Sequence, residues 1–214
     1  MSSALNILGY ISATAVLIPL IIAFINYKYI NDYIRPLFIY FITSFIAEVI
    51  TNTMLAYGMK ISLALLIYTI LEGILISSFY YRFFRQHLKP GIIYVITTAF
   101  VLISIACCYV FDFQTADFYA RAMECFIFTS YCLFLFYYVL KNLVFDNLLS
   151  SPIFWINTGI LFYFSGNLII FIFSEYIANH RSPSYILLWK SIHTFFNVSM
   201  NFLFGIGFWK LRTK

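Results

Sequence analysis

The sequence predicts a single all-α bundle of seven transmembrane helices, with the N-terminus outside and the C-terminus in the cytoplasm. Three observations carry that expectation. Of 214 residues, 63% are hydrophobic and 10% charged, against roughly 45–50% and about 25% in soluble domains. A soluble chain of this size needs a polar coat that this one lacks. Seven stretches reach the roughly 20 apolar residues that cross a bilayer core, at about 5–27, 36–58, 61–83, 91–111, 117–140, 153–177 and 184–208. The connections between them alternate in charge.

The first stretch has no basic flank ahead of it and is longer than the apolar core of a signal peptide, so it reads as the first span. Pro19 lies within it and predicts a kink, because proline donates no backbone hydrogen bond. Pro36, Pro90 and Pro152 stand where the second, fourth and sixth spans begin, positions at which a missing N–H is harmless. Connections of about a dozen residues or fewer leave no soluble catalytic or sensory domain to expect within this sequence.

Lys28, Arg35, Arg82, Arg85, Lys89, Lys141, Lys210, Arg212 and Lys214, nine of the thirteen basic residues, fall on one side. The other side holds Lys60 and Arg181 with Asp112 and Asp117, the latter read as a charge at the mouth of the fifth span. An excess of Lys and Arg marks the cytoplasmic side, and a bacterial cytoplasmic membrane is the expected location. The same loops account for the net charge of +5, so no nucleic-acid partner is expected; the lipid bilayer is.

Charged groups inside a bilayer are expensive and turn toward protein or water, which makes each a functional candidate. These are Glu48, Glu72, Arg121, Glu124, Lys190 and His193, with Glu175 read as reaching the outer surface. At 100° per residue, Lys190, His193, Thr194, Asn197 and Asn201 share an arc of about 100°. Ser44, Glu48, Thr51 and Asn52 share a face of the second span, Arg121 and Glu124 one of the fifth, and Tyr68 neighbours Glu72. With the assigned topology, all six charged groups lie in the outer half of the bundle. Glu48, Glu72, Arg121, Glu124, Lys190, His193 and Asn197 are therefore expected around one outward-facing pocket. An ion pair of Glu72 or Glu124 with Arg121 or Lys190 is expected there. A sealed, self-neutralising network that only fixes helix positions is the competing reading.

The four cysteines, Cys107, Cys108, Cys125 and Cys132, have no metal-finger or redox spacing. They read as small apolar side chains, with a bridge from Cys107 or Cys108 to Cys125 as the alternative. His87 and His180 fall in loops on opposite sides, so no three-histidine metal site is expected; Glu72, Glu124 and His193 would be the mixed alternative. Retinal is not expected on Lys190, which lies near the outer end of its span without an acidic residue one turn before it. Zinc hydrolases of the ceramidase type need several histidines and an aspartate, and no aspartate is expected within a span core. EGILISS at 72–78 and ECFIFTS at 124–130 share a Glu followed by hydroxyl residues, a pattern that either a duplicated hairpin or chance in low-complexity apolar sequence produces.

The stretches IYTILEGILISSFYYRFF, FWINTGILFYFSGNLIIFIFSEY and FNVSMNFLFGIGFW resemble those of small bacterial seven-helix membrane proteins. The resemblance implies a membrane-embedded bundle and transfers no activity. From the residues, the leading expectation is a receptor-like module that binds a small polar or amphiphilic molecule from outside and acts through a membrane or cytoplasmic signalling partner. A proton- or ion-coupled transporter or channel is the alternative, followed by an intramembrane enzyme acting on lipid with Glu72 or Glu124 as acid or base.

Overall fold

A computed structural model of the chain describes residues 2–85, 91–143, 147–173 and 183–213. His87, Lys89, Pro90, Glu175, His180, Arg181 and Lys214 lie outside the described residues, and with them the expectations they carried. Among the described residues, eight α-helices follow in order: α1 (Ser2–Ala15), α2 (Leu17–Ile25), α3 (Arg35–Ala56), α4 (Ser62–Arg85), α5 (Gly91–Val110), α6 (Phe113–Lys141), α7 (Pro152–Ile172) and α8 (Pro183–Lys210). Among the described residues there is no strand.

Among the described residues, six helical stretches are long and apolar enough to cross a membrane: Ile7–Ile25 over α1 and α2, then α3, α4, α5, α6 and α7. The chain is thus an integral membrane protein by the length and composition of its helices. α8 is the seventh expected span. At 28 residues it is long enough, but Lys190, His193, Asn197 and Asn201 leave it too polar to join the other six. The surface agrees with a lipid solvent, since apolar side chains such as Ile169 (67%) and Phe126 (66%) stand exposed.

The break in the first span falls at Val16, between α1 and α2. Pro19 lacks an N–H and its ring crowds the carbonyl of Ala15, four residues earlier, which is where α1 stops. Pro36 and Pro152 sit in the first turns of α3 and α7, as expected. α6 starts four residues earlier than the hydropathy of the chain suggested, because Asp112 caps it. Its Oδ1 accepts the backbone N–H groups of Gln114 and Thr115, both at 2.9 Å.

The helices divide into two compact units, one of residues 31–124 and one of residues 1–30 with 125–214. In the 31–124 unit, α4 carries the core. Ala116 and Ala120, fully buried on one face of α6, let it approach Leu66 of α4, with Ile70, Cys107 and Cys108 packed around them. Gly73 lies beneath the ring of Phe100, so tightly that a side chain there would meet it. In the other unit, α7 and α8 pack through glycines. Gly159 lies against Phe204, Gly166 beneath Phe196, and Gly207 against Ile156. Asn157 of α7 donates to the Cys132 carbonyl at 3.1 Å, joining α7 to α6 through two fully buried residues. None of the four cysteines is in a disulfide, so the alternative of a bridge to Cys125 does not hold.

Candidate functional site

The 31–124 unit buries three carboxyl groups around one guanidinium. Glu72 on α4 and Glu124 on α6 are each 2% exposed, and Asp117 on α6 is 3% exposed. Arg121, one turn beyond Asp117, turns its Nε to the aspartate Oδ2 at 3.0 Å. The Thr69 hydroxyl of α4 donates to the other aspartate oxygen, Oδ1, at 2.8 Å. Asp117 is therefore a bridge between α6 and α4 as well as the partner of Arg121.

This corrects two expectations. Asp117 is not a surface charge at the mouth of a span but a buried residue inside α6, so an aspartate does stand within a span. Arg121 stands at ion-pair distance from Asp117, an acid that the sequence reading did not name for it. The physical reason is the cap at Asp112. With the helix starting at Phe113, Asp117 lies inside it, where its side chain meets Thr69 of α4. The spacing of Asp117 and Arg121 at i and i+4 was the available signal; reading Asp117 as a charge at the mouth of the span hid it.

Glu72 is hydrogen-bonded with the hydroxyls of Tyr40 and Tyr68 and lies within electrostatic reach of Arg121 and Asp117. The Tyr68 hydroxyl also lies 3.3 Å from Ser44 Oγ on α3, extending the polar group to a third helix. Glu124 lies within electrostatic reach of Glu72, Arg121 and Asp117. Its Oε1 is buried with no hydrogen-bond partner among the described residues. That orphan oxygen sets Glu124 apart from the other two acids. Buried polar oxygens left without a partner are uncommon and call for an explanation.

Glu48, expected on the same pocket, does not join this group. It is half-buried on α3, and its Oε1 accepts from the Asn52 side chain of its own helix at 3.1 Å. The expected face of α3 is real, since Thr51 and Asn52 both fold back on it. Its use is local.

The remaining expected residues belong to the other unit, where the polar stripe of α8 contacts α1 and α7. Lys190 lays its ammonium over Gly9 of α1, so that a methyl there would sit 3.2 Å from Nζ. His193 shares a hydrogen bond of 3.1 Å between Nδ1 and Asn167 Oδ1 of α7, and its ring stacks on Trp189 at 5.8 Å between centroids. Asn197 donates to Ser12 Oγ at 2.7 Å, and Asn201 donates to Asn197 Oδ1 at 3.0 Å. Leu188, Phe195 and Phe202, on other faces of the helix, stand exposed. The stripe read from the sequence is therefore a seam between helices. Trp189 Nε1 and Thr194 Oγ1 are buried beside it without hydrogen-bond partners among the described residues.

Among the described residues, no three His, Cys, Asp or Glu side chains are placed to hold a metal ion. The cluster of Glu72, Asp117 and Glu124 is a set of acids about a fixed cation, suited to holding protons. Comparison of the chain with protein-family models, with curated proteins and with solved structures finds no match.

Proposed function

We propose that the chain is a proton-coupled transporter of the bacterial cytoplasmic membrane, with seven spans, its N-terminus outside and its C-terminus in the cytoplasm. The orientation is supported by the Lys and Arg excess of alternate connections. α8 serves as the seventh span, its polar seam turned to α1 and α7 and its apolar faces to lipid. The observation that carries the function is the Glu124 carboxyl, buried with an oxygen unpartnered in a group of three acids and one guanidinium. An unbalanced charge in a bilayer interior is too costly to persist, and a carboxyl there is neutralised by a proton or a cation. Asp117 and Arg121 balance one another, leaving Glu72 and Glu124 as the exchangeable pair. Intramembrane acids of this kind serve proton relays in pumps and transporters. The transported solute is a small polar molecule whose passage follows the loading and unloading of that pair.

The test is proton movement in reconstituted vesicles carrying a pH-sensitive dye inside, with a membrane potential imposed. Wild-type protein is expected to acidify or alkalinise the lumen, and Glu124→Gln, which keeps the shape and removes the titrating group, is expected to abolish it. Wild-type vesicles that behave as protein-free ones under potentials of both signs would remove the reading.

A receptor-like module acting through a signalling partner is the second reading. It is supported by the unpartnered Trp189 Nε1 and Thr194 Oγ1 beside His193, two buried donors suited to a small polar ligand. Thermal stabilisation by compounds in a broad screen, lost in Trp189→Phe, would favour it. No stabilisation by any compound, together with no co-purifying protein, would count against it.

A further inference from the structure

At the basic end of α4, a half-open cavity of about 500 Å³ lies between α4 and the first turns of α5. Its α4 wall is a single helical face. Ile74, Ser78, Arg82 and Arg85 follow at intervals of four, four and three, so the wall grades from apolar to hydroxyl to cationic. On α5 the first turns contribute Tyr94 and Thr97. Asp32 enters from the connection before α3 and takes Arg82 Nη1 at 2.7 Å.

The charge balance of the cavity is one positive excess: Arg82 and Arg85 against Asp32. Asp32 and its carbonyl both engage Nη1, and the Nε and Nη2 groups of Arg82 have no hydrogen-bond partner among the described residues. Arg85 is exposed and makes no ion pair among them. A guanidinium presents several donors in a fixed fork that matches a phosphate group. Two of them, one held in position by Asp32 and one free, face a volume large enough for a head group. Behind them the wall runs along α4 through Ser78 to Ile74, with Ile93 of α5 opposite.

We propose that this cavity is a binding site for a phosphate-bearing anion, with the phosphate seated on Arg82 and Arg85. The gradation toward Ile74 suits an anionic phospholipid, whose head would take the guanidinium groups and whose chain would follow α4; basic pockets between membrane helices bind anionic head groups in this way. A soluble phosphate would use the same two arginines without the apolar wall. Asp32 sets the specificity, because it repels a doubly loaded anionic site and holds Arg82 in place for one phosphate.

The experiment uses the full chain in a neutral detergent, with thermal unfolding and native mass spectrometry as readouts. Phosphatidylglycerol, phosphatidylcholine and inorganic phosphate are added separately. Phosphatidylglycerol is expected to be retained and to raise the unfolding midpoint, whereas phosphatidylcholine is not. Arg85→Gln, at an exposed position with no ion-pair partner to lose, is expected to fold normally and to weaken retention about fivefold. Arg82→Gln should weaken it at least as much. Stabilisation by inorganic phosphate that equals the lipid's, and is lost in Arg85→Gln, would keep the phosphate site and assign it to a soluble anion. Equal retention of both lipids, or no change in Arg85→Gln, would overturn the proposal. Proton movement through Glu124 is not read in this experiment, so the two outcomes are independent.

Discussion

Asp117 and Arg121 face one another a single turn apart on α6, 3.0 Å from Oδ2 to Nε, while Thr69 of α4 holds the second aspartate oxygen. The pair is 5% and 12% exposed at its side chains, so neither charge is shared with bulk water. Removing one partner from a buried pair strands the other and costs about 3–5 kcal/mol, whereas removing both together is far milder. Arg121→Gln is expected to be the most damaging single change, because it leaves three carboxyl groups without a cation. Asp117→Asn/Arg121→Gln should recover part of the loss. Unfolding midpoints of the four proteins in detergent make the cycle. Additive losses would mean that the two residues are not coupled.

Asn157 donates to the Cys132 carbonyl from a site with no exposure, joining α7 to α6 within one unit. Hydrogen bonds between membrane helices contribute modestly, about 0.6–1.7 kcal/mol. Asn157→Leu keeps the volume and removes the donor. A loss of about 1 kcal/mol in reversible unfolding is expected. A stability equal to wild type would show that packing alone joins the two helices here.

Glycine serves close packing at Gly166, where a methyl would run into the ring of Phe196. Gly166→Ala is expected to destabilise by about 1–3 kcal/mol through overpacking. Phe196→Leu should restore room and recover much of that. Gly91 is the control: nothing lies within 4 Å of an added methyl there, so Gly91→Ala should be neutral or gain about 0.4–1 kcal/mol from a less flexible unfolded chain. Equal effects at both sites would refute the packing argument.

Membrane helices are legible from sequence because bilayer thickness and apolar length are tied together. Residues 36–58 became Arg35–Ala56 and residues 91–111 became Gly91–Val110, shifts of at most two residues at any end. The stripe of His193, Asn197 and Asn201 was equally legible, since helical periodicity fixes which side chains share a face. What each face meets was not. Glu48 and Glu72 carry the same chemistry on neighbouring helices, yet one folds back on Asn52 and the other is buried with Tyr40 and Tyr68. That difference depends on helix rotation, which hydropathy does not encode. Asp117 was missed for a related reason. Hydropathy stops at a charge, while the helix continues past it because Asp112 caps the preceding turn.

That cap gives a pH-dependent prediction outside the membrane. Asp112 accepts the Gln114 and Thr115 amides and, at 3.2 Å, the Thr115 hydroxyl. The Thr115 backbone N–H is the main cause that holds its carboxyl below the ordinary value of 3.8; the Thr115 hydroxyl, the Gln114 amide and Lys60 act the same way. A carboxyl lowered on folding stabilises the folded helix at pH values above its unfolded value. That contribution fades as pH falls through the lower folded value, so the window lies below about 3.8. The start of α6 should therefore fray in acid, measured as amide exchange at Gln114 and Thr115 after correction for the intrinsic pH dependence. Asp112→Asn keeps a capping oxygen without a titrating group and is expected to show the same protection at pH 3 and pH 6. Asp112→Ala, which removes the capping oxygen, should fray at both. Because α6 carries Asp117 one turn further on, the alanine variant should also weaken the Thr69 contact. An acid-induced loss of protection in Asp112→Asn as large as in wild type would place the titrating group elsewhere and remove the cap as its cause.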